Sequence, residues 1–221
     1  MDFDLKIIEG NLTIYCSKNL EEFSKEFIEY CNKNINDIKN KLNIKENVNL
    51  VVALTDDKNL AGFVYEESDF SGFFNDTGAF AYININGKRS KESLFKGLMH
   101  ELTHHLYKYY VYGEDKKRIT WVDEGLADLF SKKKEELENP KIYQVFLNKN
   151  LELCKDLNLN ELNHKDKSFG YNNGYNLSYI AVRYLYETKE NFIDIISDYD
   201  TLIEIGNTVL NEAYKFYKSK Y

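Results

Sequence analysis

The sequence predicts an α+β fold in which strands come first and helices last. Three observations carry this. Before residue 90, short apolar runs rich in β-branched and aromatic residues stand between turn residues. After Gly113 nearly every segment has the apolar spacing of a helix. Between the two regions one long segment, from about Lys91 to Tyr110, also has helical periodicity. The expected organisation is a single domain over residues 1–221. An N-terminal α/β lobe with a small mixed sheet covers 1–112, and a mostly helical lobe covers 113–221.

Leu5–Ile8 and Leu12–Cys16 flank Glu9-Gly10-Asn11 and predict a hairpin. Leu20, Phe23, Phe27, Tyr30, Cys31, Ile35, Ile38 and Leu42 recur at helical spacing. Val48–Leu54 reads as a strand. Residues 56–77 mix Asp, Glu, Ser, Gly and aromatics, which predicts a loop with a strand at Phe63–Tyr65. Phe80–Ile85, bounded by glycines, predicts another strand. Gly113 to Lys117 reads as a turn. Helices are then expected at Asp123–Leu137, Lys141–Leu153, Gly174–Thr188, Asn191–Ile196 and Thr201–Lys218.

A chain of 221 residues is long enough to bury a sizeable core. Its 43% hydrophobic and 29% charged residues are ordinary for a soluble globular protein, and one Pro argues against long disordered linkers. The net charge of −7 and pI near 5.3 argue against a nucleic-acid binder, which usually carries a basic stripe. The run Lys132-Lys133-Lys134 is followed by Glu135-Glu136 and reads as a solvated helix face. Three cysteines with no C-x-x-C pair read as buried thiols in a reducing compartment, so a cytoplasmic location is expected. The N-terminus lacks a basic segment followed by a long apolar one, so no signal peptide is expected. No apolar run approaches the roughly 20 residues of a membrane span.

The segment His100-Glu101-Leu102-Thr103-His104 reads H-E-x-x-H. Residues i and i+4 share one face of a helix, one turn apart, so both imidazoles can address one ion. A hydrolytic zinc keeps three protein ligands and a water whose pKa it lowers to about 7. Glu101 is spaced to act on that water as a general base. The third ligand must come from elsewhere, and Glu124 in Trp121-Val122-Asp123-Glu124-Gly125-Leu126-Ala127-Asp128 is the leading candidate. Thr120 or Asp123 would cap that helix. Asp128, four residues on, lies on the face of Glu124 and is spaced to accept an N–H from a ligand His. Only four His occur, and two stand at ligand spacing. His105, about 100° round the helix, reads as a packing residue, and His164 in a polar stretch reads as a solvated loop residue. A coincidental motif on a charged helix surface is the alternative.

H-E-L-T-H followed by W-V-D-E-G-L-A-D resembles the gluzincin zinc metallopeptidases, the thermolysin-like and aminopeptidase-like enzymes. It is similar above all to short peptidase MA-like members with an H-E-x-x-H…W-x-x-E-G-x-A signature. The resemblance is specific from about Leu94 to Phe130. It implies a zincin-like fold with the active-site helix between two lobes. It implies one Zn²⁺ on His100, His104 and Glu124, Glu101 as base, and Asp128 supporting a ligand. In this family a Tyr at the start of a later helix donates to the oxyanion; Tyr175 matches that position, with Tyr179 and Tyr171 as fallbacks, and Arg183 matches a basic position of the same helix. The family's strand before the H-E-x-x-H helix is a sheet edge that takes up substrate, which points to Ala79, Phe80, Ala81 and Tyr82. Aminopeptidases carry a Glu there for the substrate's α-amine, and no acidic residue lies between Gly78 and Ser90. The expectation is therefore a zinc-dependent endopeptidase acting on peptide or protein substrates. The alternative is a catalytically silent or latent zinc-binding module.

Overall fold

The structure is a computed structural model that describes residues 3–61, 68–155, 157–162, 164 and 167–220. It is α+β and divides into two compact units, Met1–Leu106 and Tyr107–Tyr221.

The first unit is built on a five-stranded mixed sheet. Its elements are β1 (Leu5–Glu9), β2 (Leu12–Cys16), α1 (Glu21–Lys41), β3 (Leu50–Thr55), a short α2 (Lys58–Ala61), β4 (Phe70–Phe74), β5 (Gly78–Ile83) and α3 (Lys91–Tyr107). The strand order is β1-β2-β3-β5-β4. The expected hairpin is present, with β1 antiparallel to β2. β2, β3 and β5 run parallel, and β4 returns antiparallel to β5.

Strand alternation explains the core. Ile14 pairs with Val52 and Val52 with Ala79; Cys16 pairs with Leu54 and Leu54 with Ala81. All six side chains are buried. Phe23, Phe27, Cys31 and Ile38 of α1 and Leu94, Phe95, Leu98, Leu102 and Leu106 of α3 pack into the same core, with Phe95 on Phe23 and Phe27. The other sheet face carries Tyr15, Phe80 and Phe73, with Phe3 laid across Tyr15 and Phe80.

Two expectations change here. The strand expected at Phe63–Tyr65 lies outside the described residues. The residues expected to form the sheet edge, Ala79, Phe80, Ala81 and Tyr82, lie in an interior strand instead. β5 is hydrogen-bonded on both sides, by β3 and β4, so its backbone groups are already used. Among the described residues the edges are β1 and, beside β5, β4, a strand that the mixed polar and aromatic composition of residues 56–77 conceals.

The second unit opens with a π-helical turn at Lys108–Tyr112 and then holds α4 (Thr120–Phe130), α5 (Pro140–Asn150), α6 (Ser168–Tyr171), α7 (Gly174–Thr188), α8 (Phe192–Ser197), α9 (Tyr199–Gly206) and α10 (Val209–Lys220), linked in part by 3₁₀ turns. α4 is shorter than expected: it stops at Phe130, and Glu135–Glu138 forms a separate 3₁₀ turn. The last expected helix is two, broken at Asn207 and Thr208. α4 and α7 pack closely, and Gly125 is the reason they can. A Cβ there would stand 2.5 Å from the Ser178 carbonyl oxygen and from a Val182 methyl. Trp121, Val122, Leu126 and Phe130 bury the apolar face of α4, and Leu177, Ile180, Ala181 and Val182 are buried on α7. Cys16, Cys31 and Cys154 are free, buried thiols, and burial pushes Cys31 and Cys154 up to about 12. Among the described residues no helix is long and apolar enough to cross a membrane.

Candidate metal centre

In the first unit the H-E-x-x-H segment lies in the C-terminal half of α3, with His100, Glu101 and His104 all buried. β4 positions it. Residues 70, 72 and 74 share one strand face, and each meets a successive turn of α3. A Cβ on Gly97 would sit 3.0 Å from the Phe70 ring. A Cβ on Gly72 would sit 2.8 Å from Cγ of Glu101. Phe74 stacks on the His104 imidazole, centroids 5.0 Å apart at 21°. One step further, Nδ1 of His105 lies 2.9 Å from the Asn75 carbonyl oxygen. Glycine at 72 thus lets the Glu101 stem lie directly against the edge strand. His105 is a packing residue, and burial holds its pKa below the ordinary imidazole value.

The Nε2 atoms of His100 and His104 lie 3.1 Å apart, with the rings edge-on at 88°. Two nitrogens bound to one tetrahedral zinc at about 2.0–2.1 Å stand about 3.3 Å apart. The pair therefore has the spacing of two ligands to a single ion.

In the second unit Glu124 lies in α4, 5% exposed beside Asp123 at 2%. Neither Thr120 nor Asp123 caps the helix; Ile119 is the N-cap residue and gives no side-chain bond. Asp123 instead pairs with Nε of Arg118, whose Nη2 lies 2.9 Å from Oε1 of Glu124. Nε2 of His164 lies 3.0 Å from the same oxygen. His164 is thus an exposed residue, as expected, that also reaches Glu124. Its ring packs against Phe169 and Tyr175, at 4.6 and 5.8 Å between centroids. Nothing local in the polar stretch around 164 signals this contact, which spans 40 residues.

The remaining expected residues separate into two groups. Tyr175 stands in the first turn of α7, half-exposed, its ring 4.9 Å from Phe169 in the His164 cluster. Asp128 is buried, and Nζ of Lys134 lies 2.8 Å from its Oδ2. Lys134 is thus an ion-pair partner, not a solvated side chain. Tyr179 is buried and accepts from Nη1 of Arg183, which also donates to the Leu137 carbonyl and covers the Tyr143 ring at 3.7 Å. Tyr179 and Arg183 belong to that packed cluster, and Tyr171 is 82% exposed. A cavity of about 780 Å³ in the same unit has Arg118, Ile119, Trp121, Leu162, His164 and Ile203 among its walls.

As a donor set, His100 and His104 of the first unit and Glu124 of the second are all buried and could hold one metal ion. Two imidazoles and a carboxylate are a set that suits zinc with one position left open. No curated protein matches the chain. The collagenase model, peptidase M9, matches residues 61–203, which include every residue of that donor set. The chain belongs to the collagenase family of zinc metallopeptidases, hydrolases that act on peptide bonds.

Proposed function

We propose that this chain is a zinc-dependent endopeptidase of zincin-like architecture, with His100, His104 and Glu124 sharing one Zn²⁺. The observation that carries the reading is the convergence of the two histidine Nε2 atoms at 3.1 Å, on the helix face from which Glu101 lies against an edge strand. A zinc ion held there supplies Lewis acidity and lowers the pKa of an attacking water. Glu101 accepts the proton of that water and later returns it to the departing amide nitrogen. The Tyr175 O–H donates to the oxygen that becomes negative as the carbonyl is attacked. Asp128 accepts an N–H from a ligand histidine and fixes its tautomer. The substrate lies along β4 as an added strand, since an edge strand presents backbone groups that can pair with an extended peptide. Without an acidic residue between Gly78 and Ser90 to hold a free α-amine, internal bonds are the expected targets.

The test is cleavage of a peptide library by the zinc-loaded protein, read by mass spectrometry, with a chelated sample beside it. Internal cuts that vanish on chelation and return with zinc are expected. Release of single terminal residues would overturn the endopeptidase reading, and cuts that survive chelation would overturn the zinc mechanism.

A further inference from the structure

We propose that Arg118 is a positioning residue for the third zinc ligand, a reading that rests on Glu124 being that ligand. Asp123 and Glu124 are consecutive, buried carboxylates in the first half of α4. Two like charges this close repel, and burial removes the water that would screen them. A single guanidinium answers both. Its Nε pairs with Oδ2 of Asp123 and its Nη2 with Oε1 of Glu124 at 2.9 Å. Arginine is suited to this because its donors form a rigid planar fork, whereas a lysine ammonium is a point charge that would serve one carboxylate at a time. His164 approaches the same Oε1 at 3.0 Å, so two groups from separate segments fix the plane of the Glu124 carboxylate. Asp123 in turn anchors the fork. The α4 backbone adds to this at Asp123, which stands in the first turn, where a helix N-terminus favours negative charge.

Arg118 therefore sets where the carboxylate points. Partners of metal ligands usually govern affinity by about 10–100-fold. Arg118 also lines the 780 Å³ cavity, so a small guanidinium ion can reach the place its side chain occupies.

The experiment measures zinc affinity by competition with a chromophoric chelator, and thermal unfolding of the zinc-free protein, for wild type and three variants. Arg118→Ala and Arg118→Lys are each expected to weaken zinc binding by about 10–100-fold. Asp123→Asn, which loosens the fork from one side, is expected to weaken it less. Millimolar guanidinium should restore affinity to Arg118→Ala and leave wild type unchanged. In a Glu124→Gln background, Arg118→Ala should cause no further loss of zinc. Affinity within twofold of wild type in both Arg118 variants would overturn the proposal. So would a loss that persists undiminished in the Glu124→Gln background. If Arg118→Ala does not fold, Arg118→Lys decides: weaker zinc binding at an unchanged zinc-free Tm supports positioning, and unchanged affinity refutes it. Should Glu124→Ala itself leave zinc binding untouched, the ligand assignment fails instead, and that result is distinct from the others.

Discussion

The two regions that supply the donor set hold their side chains by different physics. In the first unit, α3 is registered against β4 by contact. Phe70 lies on Gly97, Gly72 on Glu101 and Phe74 on His104. No charge is needed, and glycine at 72 is what admits the Glu101 stem. In the second unit, Glu124 is held by the charge of Arg118, with His164 in hydrogen-bond reach, on a helix seated by the close approach of α7 at Gly125. Steric positioning tolerates salt and pH but not added volume. Electrostatic positioning tolerates volume better and depends on keeping its cation.

The largest expected effect breaks the second region. Glu124→Ala removes the proposed third ligand, so zinc affinity should fall by more than the roughly 100-fold that marks the loss of a ligand's partner. An unchanged affinity in equilibrium dialysis would move the third ligand elsewhere. Next comes the steric region. Gly72→Val drives two methyls into Glu101, the proposed base, and displacement of a catalytic group by about 1 Å can cost about 100-fold in rate. The expected result is a fall in kcat of that order with zinc content unaltered; a variant as fast as wild type would show that β4 does not position the base. Tyr175→Phe should lower kcat by roughly 10–100-fold with KM little changed, as expected for a donor that acts in the transition state. Equal kcat would leave His164 as the nearest alternative donor in that cluster.

The smallest effect concerns pH. Burial depresses the His105 pKa, so the folded state holds this ring neutral. Its contribution is fully present above the ordinary imidazole pKa of about 6.5 and is lost as the pH falls below it, because the unfolded chain then takes up a proton that the folded chain resists. The Tm of zinc-free wild type should therefore drop more steeply between pH 7 and 5 than that of His105→Gln. Parallel slopes would remove His105 from the account.

The same contrast explains what could be read from the sequence. His100, Glu101 and His104 are legible because one helical turn relates them, and local periodicity reveals a helix. Gly174–Thr188 and the first hairpin are legible for the same reason. β4 is hidden because Ser71 and Gly72 have little strand propensity and the strand is half-exposed, so no alternation marks it. Its register against α3 is a tertiary fact. The family resemblance puts the edge at β5, a place that β4 takes. Asp123 has the composition of a helix cap, yet an arginine five residues earlier claims it. His164 sits in a polar stretch, and only the fold brings it to Glu124. The break at Asn207 and Thr208 carries no Pro, and apolar spacing continues through it, so α9 and α10 read as one helix. The collagenase match agrees with the zinc peptidase that the two motifs implied.

The most direct test of the whole account is Glu101→Gln, assayed for zinc content and for peptide cleavage on the same preparation. The variant should carry about one zinc per chain, as in wild type, with turnover reduced by about 100–10,000-fold, the range general-base catalysis supplies. Cleavage at the wild-type rate with zinc bound would contradict it, because some other group would then be taking the proton from water.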